Sequence, residues 1–378
     1  MISPALLPRL ACPVCLEAAG CARCSAAGAG HAACVASYAE RAGCACGGPD
    51  KVRLEAEGEF LRCPCCQTAY PVRRDQGYLD LVPRTAVGEV TQYADHEFHE
   101  RLEVKDGPPV LSARVKADMM RRMLRLGAGE DVLDLGCGAG KLALYAGGKA
   151  GRATGVDVAP FFLAGAVARV DLVLGDLRRL PFRKGSFPRA YTLDVLEHLD
   201  QEGVCEVLLE ARRTLSADGS LFVYTHAMES SRLAAFQRWV NRLALRLGRA
   251  GLIDHEREAM RKSDHRNAIR SHQHFESLAG GAGLEVVERR YYNVVFKAVI
   301  EDLLLRLLEQ RRRKPGVPPA RFEPARARQA PVGAPQPGRL ALALAQGLTW
   351  LLKLDVVLFG SIRTGPFFGL LRPRRSGG

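Results

Sequence analysis

The sequence lacks the features that would carry a chain across a membrane. Its first residues have no charged segment followed by the apolar run of a secretory signal. Its longest late apolar stretch, Leu340 to Leu352, covers 13 residues, whereas spanning a bilayer takes about 20. Lys353 and Asp355 follow this stretch directly. We therefore expect a cytoplasmic protein without a transmembrane helix, one that can still touch the inner membrane surface.

Cysteine is nearly absent after the first 66 residues. Ten of the twelve cysteines lie between Cys12 and Cys66, and only Cys137 and Cys205 lie beyond. In the reducing compartment expected here, disulfides are disfavoured. Closely spaced cysteine pairs in such a setting usually hold zinc. Residues 1–83 are therefore predicted to form a small zinc-binding module.

Acidic residues are scarce at the C-terminal end. The formal net charge of the chain is +13, and from Arg311 to Gly378 thirteen Lys and Arg residues stand against two acids, a net of +11. A basic segment suits phosphate-rich partners, either anionic lipid or nucleic acid. A tail that only improves solubility is an equal alternative.

The middle of the chain alternates between short apolar strands and amphipathic helices. Residues 84–125 are predicted to be a connecting helical segment, and residues 126–300 an α/β domain with a helical insertion at about 229–270. Such alternation predicts a parallel sheet with helices on both faces. Residues 301–378 form a basic region with amphipathic helices, a linker rich in Pro and Gly, and one last strand at GPFFGLLRPR.

A glycine-rich motif follows the first strand of the α/β domain. The segment Asp131–Gly140 reads DVLDLGCGAG, with glycines at 136, 138 and 140. A dinucleotide fingerprint would need a further glycine where this chain has Lys141, and no Gly-Lys-Ser/Thr ending of a P-loop is present. Glycines at this spacing allow a tight turn and a close approach of ligand to backbone. The N-terminus of the next helix offers free N–H groups to a carboxylate.

Acidic residues stand at the ends of successive predicted strands. Asp134 lies in the first strand, Asp157 closes the second, and Asp176 closes the third. A carboxylate at the second position can accept hydrogen bonds from both hydroxyls of a ribose. Asp176 is placed to meet the amino group of an adenine. Because ligands of open α/β sheets bind at these strand ends, the pattern predicts a nucleoside-like ligand.

The motifs DVLDLGCGAG, TGVDVAP, LGDLRRLPF, SFPRAYTLDVLEHL and RRTLSADGSLFV resemble, in this order, those of class I S-adenosylmethionine-dependent methyltransferases. They look most like the branch that includes the ubiquinone and menaquinone methyltransferases. The resemblance covers Asp131 to His226 and implies a Rossmann-like seven-stranded sheet that binds S-adenosylmethionine. Pro188 departs from the family pattern, which usually has an acid there, at a place expected not to touch the cofactor.

The resemblance also implies roles by position. The glycine loop would hold the methionine moiety, the second strand end the ribose and the third the adenine. The cofactor-binding residues predicted in this way are Asp134, Gly136, Cys137, Gly138, Gly140, Asp157, Val158, Asp176, Leu177 and Leu193. On the acceptor side, the candidates for catalysis are Asp194, Glu197 and His198. For Glu197 and His198, a role in starting a helix that shapes the pocket is favoured over action as a base.

Two cysteine pairs at the start resemble a zinc ribbon. Cys12-Pro-Val-Cys15 and Cys63-Pro-Cys-Cys66 are similar to the pairs in ribbons fused ahead of some methyltransferases, and to those in zinc-binding partner proteins of RNA and protein methyltransferases. The resemblance implies one tetrahedral zinc held by Cys12, Cys15, Cys63 and Cys66, with Cys65 spare.

The segment between the two pairs holds further candidate ligands, which could supply a second zinc: Cys21, Cys24, His31, Cys34, Cys44 and Cys46. A RING-like arrangement of the eight ligands from Cys12 to Cys46 is the alternative, and it would leave the last pair aside. The ribbon is favoured because the residues after Cys66 continue its pattern.

Three functions remain open from the sequence. The first is methylation of a small-molecule or lipid-like acceptor at the membrane surface, favoured by the quinone-type motifs and by amphipathic segments at Val294–Leu308 and Leu340–Leu352. The second is methylation of ribosomal or transfer RNA, with the zinc ribbon binding the substrate. The third is a protein-binding adaptor that uses the zinc module. The intact cofactor motifs argue against the adaptor, and few aromatic residues in the tail argue against RNA.

Overall fold

The computed structural model describes residues 3–14, 53–82, 108–148, 151–253, 265–308 and 339–374. Within these ranges the strands are β1 (Glu55–Glu57), β2 (Phe60–Arg62), β3 (Ala69–Arg73), β4 (Tyr78–Asp80), β5 (Asp131–Leu135), β6 (Arg152–Asp157), β7 (Asp171–Leu174), β8 (Phe187–Leu193), β9 (Leu215–His226), β10 (Leu284–Tyr291) and β11 (Pro366–Pro373). The α-helices are α1 (Leu111–Leu124), α2 (Lys141–Gly147), α3 (Ala164–Val167), α4 (Gln201–Thr214), α5 (Ala234–Arg249), α6 (His272–Gly281), α7 (Val295–Val299) and α8 (Arg339–Phe359).

The seven strands from β5 to β11 form the predicted sheet. They lie in the order β7-β6-β5-β8-β9-β11-β10, with parallel pairing from β7 to β9 and antiparallel pairing on both sides of β11. The last strand, predicted at GPFFGLLRPR, is confirmed as β11, which lies between β9 and β10. Residues 292–365 therefore form one long connection between two neighbouring strands.

The sheet is longer than the seven strands that the family resemblance implies. The antiparallel strands β1 to β4 continue it, because β4 pairs in parallel with β7 and places Leu79 opposite Val173. Residues 3–14 attach to the same edge of the domain, where Leu10 forms a bridge with Phe182. The N-terminal module is thus joined to the α/β domain by backbone pairing within one eleven-stranded sheet.

One hydrophobic core runs through both parts. Leu10, Leu61 and Leu79 of the N-terminal strands and segment belong to the same buried cluster as Val173 and Phe182 of the α/β domain. A second cluster fills the opposite face of the sheet, beneath α1 and α8. Burial of shared apolar surface is the main favourable contribution to folding. We therefore expect the module and the domain to unfold together.

Helix α8 extends beyond the predicted end of the late apolar segment. The prediction stopped at Leu352, since Lys353 and Asp355 follow, but the helix continues to Phe359. Both charged side chains have partners within the protein: Lys353 Nζ lies 2.8 Å from Asp118, and Asp355 accepts hydrogen bonds from the first N–H groups of α7. Among the described residues, none of the helices is long and apolar enough to cross a bilayer.

The helix predicted over Val294–Leu308 is only partly regular. It begins as α7 and continues as a π-helix over Ile300–Leu305. The insertion predicted at 229–270 contains α5, as expected from its helical composition.

Candidate functional site

The glycine loop between β5 and α2 depends on backbone conformations that side chains rarely adopt. Gly136, Gly138 and Gly140 have φ angles of +80°, +51° and +79°. A Cβ at Gly136 would lie 2.5 Å from Val195, and one at Gly140 would lie 2.7 Å from Ala166, so packing requires glycine at both positions. A Cβ at Gly138 would meet no atom within 4 Å. The space beside Gly138 is therefore free for a ligand to approach the backbone.

Asp157, at the end of β6, is held by the backbone around this loop. One carboxylate oxygen accepts a hydrogen bond from the N–H of Gly138 at 2.7 Å, and the other accepts one from Ala159 N–H at 3.0 Å. Each carboxylate oxygen has more than one lone-pair site. Both oxygens face the backbone of the loop, and the ribose-binding role of Asp157 stays a prediction. The following Val158 is exposed.

Asp134 lies beneath the loop, buried within the sheet. The pKa of Asp134 is raised to about 8, mainly by burial. The hydrogen bond that Tyr191 donates at 2.7 Å acts to lower this pKa, and the nearby charge of Asp157 acts to raise it. The carboxyl of Asp134 is therefore largely protonated at neutral pH.

Cys137 faces the sheet. Its side chain is buried, and its sulfur would lie 2.8 Å from a Cβ at Gly155. Its backbone N–H donates to Val156 at 3.1 Å. The sulfur is thus packed against the strand next to it.

Asp176 follows β7 and caps the short 3-10 helix Leu177–Arg179. Its carboxylate accepts a hydrogen bond from the N–H of Arg178 at 2.8 Å and pairs with the Arg178 guanidinium at 2.9 Å. This ion pair lies within one short turn of the chain. Leu177 is partly buried, and Leu193 at the end of β8 is buried.

Asp194 comes directly after β8 and lies in a strained conformation, with φ of +54°. The Nζ atom of Lys116, on α1, contacts its two oxygens at 2.6 and 2.7 Å and lies 4.2 Å from the centre of the Tyr224 ring. Val195, the next residue, fills the space left by Gly136. The loop after β8 therefore lies against the glycine loop, and Asp194 with Lys116 lies beside it. Backbone strain of this kind is common at functional sites.

Glu197 is buried, with 2% of its surface exposed. One carboxylate oxygen lies 3.3 Å from His226 Nδ1, and the other accepts a hydrogen bond from Thr225 at 3.1 Å. Burial alone would raise the pKa of Glu197, but the contact with His226 outweighs it and lowers the pKa to about 2. Glu197 is thus an ionised carboxylate that orients the imidazole of His226, whose side chain is one-third exposed.

His198 packs edge-to-face against His265, with ring centres 4.7 Å apart. The ligand atoms of Glu197, His198 and His265 lie within 4.8 Å of one another, a spacing at which they could hold a metal ion. The same holds for Asp194, Glu197 and His226. His272, by contrast, is buried and bonded to the Thr364 carbonyl at 2.7 Å, which gives it a structural role.

Sequence reasoning did not single out several residues beside Asp194. Lys116 and His226 were not among the predicted site residues, and neither were Tyr224 and Tyr292. In the structure Tyr292 is buried, and its hydroxyl has no hydrogen-bond partner among the described residues. A signal for His226 was its position at the end of β9, since strand ends at this edge of the sheet carry the other polar groups.

The geometry agrees with a comparison of the sequence with known families. Residues 132–219 match the family model described as "Methyltransferase domain". This span runs from β5 into β9, and it includes the glycine loop and the acids at the strand ends. The α/β fold over this span is that of a methyltransferase domain.

Similar proteins are more distant. The chain is 34% identical over 119 residues to an uncharacterized 37.1 kDa protein in transposon TN4556 of Streptomyces fradiae, a match that covers 29% of this chain and 34% of that protein. The chain thus spans about a third of the length of this relative.

Two solved methyltransferase structures are also similar. Phosphoethanolamine N-methyltransferase 2 of Haemonchus contortus is 17% identical, with a TM-score of 0.45, covering 75% of this chain and 59% of that one. Geranyl diphosphate C-methyltransferase of Streptomyces coelicolor is 14% identical, with a TM-score of 0.38, covering 69% and 77%.

Ahead of the methyltransferase domain, three predicted zinc ligands lie together. The sulfur atoms of Cys12, Cys63 and Cys66 are all within 4.8 Å of one another, and Cys12 and Cys63 are fully buried. Cys65 is exposed and lies apart from this group. The other predicted ligands lie outside the described residues: Cys15, Cys21, Cys24, His31, Cys34, Cys44 and Cys46. Cys12 therefore lies beside the 63–66 pair in the fold, 3.5 Å from Cys66 between sulfur atoms.

Proposed function

We propose that this chain transfers a methyl group from S-adenosylmethionine to a small-molecule or lipid-like acceptor. The observation that carries the proposal is the glycine loop with Asp157 bonded to its central N–H, at the carboxyl ends of adjacent parallel strands. This is the edge where ligands of open α/β sheets bind. The match of residues 132–219 to a methyltransferase domain supports it.

The residues of the loop fit this cofactor. The free space beside Gly138 admits the methionine moiety, Asp157 offers two oxygens to the ribose hydroxyls, and Asp176 with Leu177 would meet the adenine. When bound, S-adenosylmethionine supplies an activated methyl group. The work of the chain is then to hold the acceptor in line, which can account for most of the rate enhancement.

On the acceptor side, His226 is the residue best placed to accept a proton. Its ring is partly exposed and is oriented by the carboxylate of Glu197, which lies 3.3 Å from Nδ1. In this arrangement Glu197 is a positioning residue, and it acts through His226. Lys116, paired with Asp194 beside the glycine loop, is available to hold an acidic or phosphate-bearing acceptor.

The cluster of Cys12, Cys63 and Cys66 is proposed to hold zinc, with Cys15 as the fourth ligand. Three sulfurs this close together and mostly buried suit tetrahedral coordination by thiolates. Zinc there would stabilise the short strands β1 to β4, which have few residues with which to build a core of their own.

A labelling experiment tests the proposed activity. Purified protein is mixed with methyl-labelled S-adenosylmethionine and a bacterial lysate, which is then separated into lipid, small-molecule, RNA and protein fractions. We expect label in the lipid or small-molecule fraction, and its loss in Asp157→Ala. Asp218→Ala, a change at an exposed position near the start of β9, is the matched control and should retain labelling. Label entering RNA would favour the RNA alternative. Absence of cofactor binding by calorimetry would overturn the proposal as a whole.

A further inference from the structure

Helix α8 presents an outer face without charge. From residue 343 to its end, the exposed residues of the helix are Ala343, Leu344, Gln346, Gly347, Trp350, Leu351, Leu354, Val357 and Leu358. They recur every three or four residues, so they share one side of the helix. Val357 is 74% exposed and Trp350 is 70% exposed. This is a continuous apolar strip on the outside of the protein.

Three polar residues of α8, Thr349, Lys353 and Asp355, contact the rest of the protein. Thr349 accepts a hydrogen bond from Leu111 N–H at 2.9 Å, Lys353 pairs with Asp118, and Asp355 is fully buried where it caps α7. A surface helix in water normally has the reverse arrangement, with apolar residues inward and charges outward. The position of the polar residues fixes α8 to the protein and leaves the apolar strip facing outward.

Helix α5 also exposes basic and aromatic residues. Its exposed side carries Phe236 and Trp239, stacked with ring centres 6.2 Å apart. The same helix exposes four arginines: Arg238, Arg242, Arg246 and Arg249. No acidic residue occurs between positions 230 and 253. The side of α5 that faces solvent is therefore positively charged as well as apolar.

Asn293 connects the two helices. Its side chain accepts a hydrogen bond from Ser231, just before α5, at 2.6 Å. The same side chain donates to the carbonyls of Phe359 and Ile362, at the end of α8, at 2.8 Å each. Asn293 is itself fully buried. The start of α5 and the end of α8 are thereby held at one point of the fold.

We propose that the outer sides of α5 and α8 form a docking surface for an anionic lipid bilayer. Tryptophan suits the boundary between headgroups and acyl chains, and arginine attracts anionic headgroups. The chain has only two tryptophans, Trp239 and Trp350, and both are strongly exposed on this surface. A helix with such a face lies in the plane of the membrane. This proposal concerns where the chain binds and does not depend on the identity of the methyl acceptor.

Charge decides between a membrane and a second copy of the chain. A symmetric dimer through this surface would cover the arginines of both α5 helices, without acidic residues on the surface to pair with them. Like charges placed opposite each other across an interface oppose association. An anionic bilayer neutralises the same arginines while it covers the apolar strip.

Tryptophan fluorescence provides a direct test, because all of the emission comes from the proposed surface. Phosphatidylcholine vesicles with and without phosphatidylglycerol are added to the full-length protein. We expect a blue shift and co-sedimentation with the anionic vesicles, weakened by salt, and little of either with neutral vesicles. Trp239→Phe and Trp350→Phe leave one reporter each, and both single-tryptophan proteins should show the shift.

Charge variants complete the test. Leu354→Glu with Val357→Glu should lower vesicle binding about tenfold or more, since carboxylates oppose anionic headgroups and the apolar strip is interrupted. Val287→Glu is the matched control, because Val287 is an exposed apolar residue on β10 and belongs to neither helix. Circular dichroism checks that each variant is folded. Unchanged binding by the double variant, or no shift with anionic vesicles, would overturn the proposal. A dimer in ultracentrifugation that the double variant abolishes would identify a second copy as the occupant instead.

Discussion

Replacing Asp134 with asparagine tests the electrostatics beneath the glycine loop. Burial raises the pKa of Asp134 from 3.8 to about 8, so in the folded protein this carboxyl stays protonated where an unfolded chain would ionise it. An acid with a raised pKa contributes stability below its unfolded pKa, and that contribution is lost as pH rises through the folded value. The wild-type protein should therefore lose stability between pH 4 and pH 8 at this residue.

The magnitude follows from the shift. Each unit of pH within this window changes the free energy of unfolding by about 1.4 kcal/mol for one proton. Between pH 5 and pH 7 the contribution of Asp134 to the free energy of unfolding should therefore fall by about 3 kcal/mol relative to a side chain that does not titrate. Asparagine does not titrate and can still accept the hydrogen bond from Tyr191. The free energy of unfolding of Asp134→Asn, relative to that of the wild type, should consequently rise by that amount between pH 5 and pH 7.

The assay is urea unfolding of the cofactor-free protein at half-unit steps of pH. Wild type and Asp134→Asn are compared, with Asp218→Asn as the control for loss of a negative charge at an exposed site. Calorimetric binding of S-adenosylmethionine should be weaker in Asp134→Asn, since the carboxyl lies beneath the proposed site. If the difference in unfolding free energy between Asp134→Asn and wild type stays constant from pH 5 to pH 8, the reasoning from burial is wrong.

Three further predictions concern other parts of the structure. Gly138→Ala should abolish cofactor binding, because its Cβ enters the free space beside the loop. Its stability cost should be about 1 kcal/mol, which is the strain of a positive φ. In Gly140→Ala the new Cβ meets Ala166, so the cost in thermal or urea unfolding should be about 2 to 3 kcal/mol. His226→Gln should lower kcat about a hundredfold while the dissociation constant of S-adenosylmethionine stays the same, and an equal loss of cofactor affinity would contradict a role on the acceptor side. Removal of metal by a chelator should lower the Tm in a single calorimetric transition, as should Cys63→Ser, whereas two separate transitions would show that the N-terminal strands unfold alone.

Much of the cofactor side could be predicted from the sequence, because the information there is local. The turn after β5 needs glycines at 136, 138 and 140, and the structure shows positive φ at all three. The acids that end successive strands lie at one edge because parallel strands all end there. The strand at GPFFGLLRPR could be predicted for the same reason, since its apolar residues are contiguous in the chain.

The acceptor side depended on contacts between distant residues. Glu197 and His226 are 29 positions apart, and only the pairing of β8 with β9 brings them to 3.3 Å. Lys116 and Asp194 are 78 positions apart, and Lys116 reaches Asp194 because α1 packs across β9. Such pairs leave no periodic trace in the sequence, so position alone could not identify them.

By itself, the sequence determined the class of fold and the glycine loop after β5, because both depend on residue type and short spacing. Tertiary structure decided what those parts join. Only the parallel pairing of β4 with β7 makes the N-terminal module part of the catalytic sheet, and that pairing closes across nearly a hundred residues. Only packing turned Lys353 and Asp355 inward and left the apolar side of α8 outside, since the same periodic pattern suits either orientation until partners such as Asp118 are in place.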